Sequence, residues 1–188
     1  MDLIGFLEIA NRLKEIRRSG WVERGVKDAE TIAEHSFMMC LIALVLGLKR
    51  KDIYVDRLLK MILVHDLPEA VTGDLISKEY WNGGHMPKKE IYELEQKEMK
   101  KIAEKLGLPE LLEWWEEFEE TKTKEARLAR IIDKFEMIHQ ALEYKKAGNY
   151  KKPLEGFWDD KNLGYLKEDP ELLALAKELI RITKSIKA

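Results

Sequence analysis

From residue 3 to residue 18, apolar side chains recur at Leu3, Phe6, Leu7, Ala10, Leu13 and Ile16, a spacing of three or four that predicts an amphipathic helix over 3–18. Ser19-Gly20 would end it, and 21–28, which has no clean period, reads as a loop. Thr31 and Glu34 fit a capping box, so a second helix is expected from there to about Leu46, with Gly47 as its stop and His35 in its first turn. A third carries Val55, Leu58, Leu59, Ile62 and Leu63 behind Asp52 as its cap, reaches His65-Asp66, and terminates near Pro68. Thr72-Gly73-Asp74 is turn chemistry, and 76–86 reads as a mobile loop, either a flap over a site or a solvent-exposed connection.

Pro87 opens a further helix that runs to Leu106 and stops at Gly107. Pro109 opens the next, ending at Glu120. A long helix follows over 125–146, with Ala129, Ile132, Asp133, Glu136, Met137 and Gln140 recurring on one side. The stretch 154–164 reads as an aromatic-rich loop, and Asp169-Pro170 begins a final helix through Ile182. No segment alternates with period two. The fold expected is all-α, a helical bundle forming one domain over 1–188.

Composition narrows the possibilities. Lys and Arg total 33 against 35 Asp and Glu, a net charge of −2. That balance offers no general attraction to nucleic acid polymers or to anionic membranes, so recognition of phosphate must be local. No apolar run approaches the roughly 18 residues of a membrane span. The single cysteine, Cys40, cannot form an internal disulfide, which suits a reducing cytosol. The expectation is a soluble, cytoplasmic protein.

The stretch His65-Asp66-Leu67-Pro68-Glu69-Ala70-Val71-Thr72-Gly73-Asp74 is what packing alone does not explain. An apolar helix delivers an imidazole and a carboxylate side by side at the edge of a core, where unpartnered they would cost several kcal/mol. A divalent metal is a partner for both. Two ligands do not hold a catalytic ion, and the chain offers His35 upstream and Asp133 downstream, each within an apolar helical pattern. Individually a helical His is usually a hydrogen-bonded core residue and a helical Asp usually faces water. Four such groups on three core helices make that reading much weaker.

The order His35, His65-Asp66, Asp133 resembles the HD-domain superfamily of metal-dependent phosphohydrolases. The words around it are more specific: Arg18 with Gly20-Trp21, Ala33-Glu34-His35-Ser36, the HDLPEAVTGD run, and Asp133-Lys134-Phe135-Glu136-Met137 with Gln140-Ala141-Leu142-Glu143-Tyr144. These resemble its 5′-deoxynucleotidase subgroup over nearly the whole chain. The resemblance implies an HD-domain helical bundle with one divalent ion per site (Co, Mn, Ni or Zn) held by His35, His65, Asp66 and Asp133. It implies catalytic roles for Asp66 and for Glu69, the latter in proton transfer, and substrate contacts from Arg18, Trp21 and Asp74, with the indole excluding a 2′-hydroxyl. In bacterial members the matching Arg and Trp are adjacent, whereas Ser19 and Gly20 separate them here, so Arg17 or Arg24 stands as an alternative to Arg18. Lys134 is a further phosphate contact or a solvated lysine. Glu95 and Glu136 are helix-surface groups or ligands of a second ion.

The activity so implied is hydrolysis of (deoxy)nucleoside 5′-monophosphates to nucleoside and phosphate. Rivals are a phosphohydrolase acting on a triphosphate, cyclic nucleotide or alarmone, and a non-catalytic nucleotide-binding protein with a structural metal. Subgroup membership implies a homodimer, to which an aromatic helix bearing Trp114, Trp115 and Phe118 could contribute, although intramolecular packing explains the same residues.

Overall fold

A computed structural model describes residues 2–78 and 86–185. Among them, ten α-helices carry the fold: α1 (Leu3–Asn11), α2 (Ser19–Glu23), α3 (Ile32–Lys49), α4 (Val55–Val64), α5 (Glu69–Thr72), α6 (Lys88–Leu106), α7 (Glu110–Glu120), α8 (Lys124–Lys146), α9 (Asp160–Tyr165) and α10 (Pro170–Ser185). Among the described residues, pairing in extended geometry is limited to two isolated bridges, Arg17 with Thr31 and Ser77 with Met86. The all-α expectation holds.

The main core lies where α3, α4, α8 and α10 meet, around Met39, Leu58, Met61, Ile62, Ile132, Ile138, Leu142 and Ala176. A second cluster, Val64, Leu67, Met99, Ile102, Leu106 and Trp115, packs α6 and α7 against the end of α4 and is covered by Phe6, Ile9 and Leu13. Trp115 and Phe118 are therefore interior packing groups, 0% and 1% exposed, and do not form a surface for self-association. Their place as an exposed apolar surface is taken by α3. Its buried face is Ile32, His35, Met39, Ala43 and Leu46, while Phe37, Leu41, Leu44, Val45 and Leu48 stand exposed on the other side. By length and composition α3 also reaches the scale of a membrane span, which the sequence pattern did not suggest because charged residues bracket it closely.

Several boundaries differ from the sequence reading for identifiable reasons. The first helix ends at Asn11 and tightens into a 3₁₀ turn over Arg12–Lys14; Arg17 then pairs with Thr31, and Arg18 is extended. The expected loop over 21–28 begins instead with α2, whose N-cap position is Arg18. Gly47 does not stop α3. It lies inside the helix because Val55 packs on it so closely that a Cβ would stand 2.8 Å from Val55 Cγ2. Asp52 does not cap α4; its carboxylate pairs with Lys124 at 3.3 Å. The cap comes from α8, where Glu125 Oε1 accepts the Tyr54 N–H at 3.0 Å. The stretch 154–164 holds a 3₁₀ turn over Glu155–Trp158 and then α9. Of the loop expected over 76–86, Tyr80, Trp81, Gly83, Gly84 and His85 lie outside the described residues, and its ends are joined by Lys78 N donating to Met86 O at 3.0 Å.

Candidate metal centre

Four elements converge on the site. The first turn of α3 supplies His35, the turn after α4 supplies His65 and Asp66, the short α5 supplies Glu69, and the middle of α8 supplies Asp133 and Glu136. A Thr31–Glu34 capping box sets the start of α3, with Glu34 N donating to Thr31 Oγ1 and Thr31 N to Glu34 Oε2. That fixes the phase at which His35 turns inward.

Both imidazoles are oriented through Nδ1. His35 Nδ1 donates to Glu136 Oε2 at 2.6 Å and His65 Nδ1 to the Ile62 carbonyl at 2.7 Å. In the neutral ring each Nε2 is then the acceptor nitrogen, which is how metal-binding histidines are held. Both Nε2 atoms are buried with no hydrogen-bond partner. Ligand atoms of His35, His65 and Asp66 lie within 4.8 Å of one another; His65 Nε2 is 3.1 Å from Asp66 Oδ2, and His35 Nε2 is 4.0 Å from it. Asp133 approaches from the His35 side, its Oδ1 3.5 Å from Nε2. Donors bonded to one first-row ion at about 2.1 Å stand about 3 to 4 Å apart, so the set fits such an ion. The sequence placed these four residues on three helices, and the structure brings them together.

The electrostatics are those of a cation site. Burial would raise Asp66 and Asp133, but neighbouring positive charge outweighs it. His65 and Arg18 hold Asp66 far below the usual carboxylate range, and Lys134 with His35 does the same for Asp133. Burial and Arg18 depress His35, yet the Asp133 and Glu136 carboxylates lift it to about 9. In the absence of metal a proton thus occupies this negative pocket.

Arg18 Nη1 donates to Asp66 Oδ2 at 3.0 Å. Despite burial, Asp66, Asp74 and Asp133 raise its pKa, so it stays charged. The alternative arginines separate clearly. Arg17 donates to the Ala29 carbonyl, and Arg24 is close only to the larger of two adjoining cavities. Arg18 lines both. The smaller, about 170 Å³, holds His65, Asp66, Glu69, Glu95 and Asp133; the larger, about 290 Å³, holds Trp21, Met137 and Phe157. Arg18, Asp74 and Lys134 border the two. Lys134 is 3.0 Å from Asp133 Oδ2.

Glu69 does not continue the helix of His65, since α4 ends at Val64 and a tight turn intervenes. The turn still buries Glu69 to 9% exposure, with Oε2 lacking a partner. Burial and the nearby Asp66 and Asp74 charges raise it well above the ordinary range. Asp74 follows Gly73, whose φ of 76° lets the chain swing back. There its carboxylate accepts the Ser19 N–H at the start of α2 while Ser19 Oγ donates to its carbonyl at 2.6 Å. Trp21 is 2% exposed; its indole N–H donates to Glu30 Oε1 at 2.8 Å and its ring meets Tyr144 edge-on.

The sequence reading offered Glu136 as a surface group or second-ion ligand without its contact to His35, and it did not single out Glu30. Glu136, 1% exposed, is not a surface residue; its position three after Asp133 on one helix face was the available signal. Glu30, which fixes Trp21 and is pushed up to about 7 by burial and Glu136, lies in irregular chain with no pattern to mark it.

A family model described as "HD domain" matches residues 10–162. The chain belongs to the HD domain family. This HD-domain chain is 33% identical to human 5′-deoxynucleotidase HDDC2 over 95% of its own length and 84% of that protein. It is 35% identical to the protein of the same name from Dictyostelium discoideum over 84% and 87%. Among solved structures, a conserved hypothetical protein from Pyrococcus furiosus superposes with a TM-score of 0.76 at 35% identity, covering 95% of this chain and 99% of that one.

Proposed function

We propose that this HD-domain protein is a metal-dependent phosphohydrolase that converts nucleoside 5′-monophosphates, chiefly deoxynucleoside ones, to nucleoside and phosphate. The observation that carries the reading is the pair of buried, unpartnered imidazole Nε2 atoms converging with Asp66 beside Arg18, with Asp133 approaching the His35 nitrogen. The 5′-deoxynucleotidase names of its relatives support the reaction class.

His35, His65, Asp66 and Asp133 would hold one divalent ion, with Co, Mn, Ni and Zn all compatible with two nitrogens and two oxygens. When bound, such an ion activates a water and neutralises phosphoryl charge. Arg18 and Lys134 bind the phosphate oxygens at the junction of the two cavities. Arg18 is already aimed by Asp66, so little order is lost on binding. Glu69, kept protonated by its buried setting, delivers a proton from its carboxyl to the departing sugar oxygen. Asp74 retains an oxygen for a sugar hydroxyl, and the immobilised Trp21 ring fills the space beside C2′.

The same reading gives a cytosolic enzyme, in which Cys40 stays a thiol, and a homodimer in which the apolar face of α3 is covered by a second copy. Phe37, Leu41, Leu44, Val45 and Leu48 are 40–73% exposed, a contiguous apolar stripe of the kind that marks an interface.

The decisive experiment is a phosphate-release screen over ribo- and deoxynucleoside 5′-monophosphates with Mn²⁺, Co²⁺, Ni²⁺ and Zn²⁺. Release of inorganic phosphate, strongest for deoxynucleotides, is expected. Tight metal binding with no turnover of any monophosphate would leave a nucleotide-binding protein with a structural metal instead.

A further inference from the structure

The larger cavity extends away from the metal ligands. Its end nearest them is bordered by Arg18, Asp74 and Lys134, which it shares with the metal cavity, and its far end is formed by side chains that the smaller cavity lacks. A phosphate at the shared border sends the rest of a nucleotide into that far end. The lining there is flat and aromatic, with charges of both signs. Phe157 packs on Trp21 with ring centroids 4.1 Å apart and planes tilted by 39°, the Arg24 guanidinium carbon lies 5.7 Å from its ring centroid, and the ring lines the cavity beside Met137. Asn162, fixed by donating Nδ2–H to Gly156 O at 2.8 Å, adds a fixed amide to the wall.

We propose that Phe157, with Met137 beside it and the buried Trp21 ring behind it, forms a stacking subsite for the nucleobase. The proposal rests on the phosphohydrolase reading for the direction in which the nucleotide lies. Its volume, about 290 Å³, sits at the lower end of small-molecule pockets and suits one nucleoside. Stacking on an aromatic ring tolerates any base, because every base has a π face. The subsite therefore distinguishes nucleotides from simple sugar phosphates more than it distinguishes one base from another. Phe157 enters the site from the 3₁₀ turn Glu155–Trp158, within the stretch whose aromatic content the sequence showed without assigning it a role.

The test compares KM for dAMP with KM for 2-deoxyribose 5-phosphate, which keeps the sugar and phosphate but has no base, in metal-loaded protein. Phe157→Leu, which keeps apolar volume, should raise KM for dAMP at least about fivefold more than KM for the sugar phosphate, and Phe157→Tyr should restore it. If Phe157→Leu shifts both KM values together, or neither, Phe157 only props up Trp21 and the subsite is overturned. Failure of the phosphohydrolase reading is a different result, in which wild type hydrolyses neither compound. Calorimetric binding of 2′-deoxyadenosine then decides the subsite alone: weaker binding by Phe157→Leu supports it, and unchanged binding refutes it.

Discussion

Replacing Glu136 by Gln isolates what an orienting carboxylate contributes to a metal site. The side chain is 1% exposed and its Oε2 lies 2.6 Å from His35 Nδ1, so the exchange keeps volume and removes one charge. A charge-assisted hydrogen bond contributes about 1.5–3 kcal/mol and a neutral one about 0.5–1.5, so the loss at His35 is about 1.5 kcal/mol, roughly tenfold in an equilibrium constant. Outer-shell partners of metal-bound histidines typically account for about 10–100-fold in metal affinity, and the buried setting puts Glu136 within that range. The assay is competition between metal-free protein and a chelating dye for Mn²⁺ or Zn²⁺. Glu136→Gln should weaken binding about 10–100-fold, and should have little further effect once His35 is already Ala, because the two act as a unit. A dissociation constant within twofold of wild type would show that the Glu136–His35 contact is merely structural.

Glu69→Gln should lower kcat by about 10²–10⁴-fold while leaving metal affinity intact; full turnover would remove Glu69 from proton transfer. His35, raised from 6.5 to about 9, stabilises the folded metal-free protein in its protonated form, so the melting temperature without metal should fall as pH rises from 6.5 to 9. Metal binding requires the neutral ring, so apparent affinity should climb by up to about tenfold per pH unit and level off above 9. A flat affinity profile over that window contradicts the His35 assignment. Leu41→Glu combined with Leu48→Glu should reduce the mass measured by light scattering from twice 22.0 kDa to 22.0 kDa; a wild-type monomer would argue against the α3 interface.

Helical periodicity identified every long helix because each buries one continuous stripe, and the four candidate metal ligands were readable because charged groups in apolar patterns demand partners. What periodicity does not encode is where a neighbouring element intervenes. Gly47 looks like a stop until Val55 packs on it, and Asp52 looks like a cap until Glu125, 71 residues beyond Tyr54, takes that place. Arg18 and Trp21 were recognisable, but their separation by Ser19 and Gly20 made sense only once α2 was seen to start between them, with Asp74 accepting the Ser19 N–H. Glu136 looked like a surface residue because Glu is usually solvated, and only the proximity of His35 shows otherwise.

The Glu125–Tyr54 cap acts as a hinge pin for the metal centre. It locks the first turn of α8 to the first turn of α4, and the histidine-aspartate pair follows the far end of α4, ten residues or about 15 Å of helix away. Asp133 rides on the other member of that clamp. The spacing between the two halves of the candidate ligand set is thus tied to a hydrogen bond at the opposite end of α4.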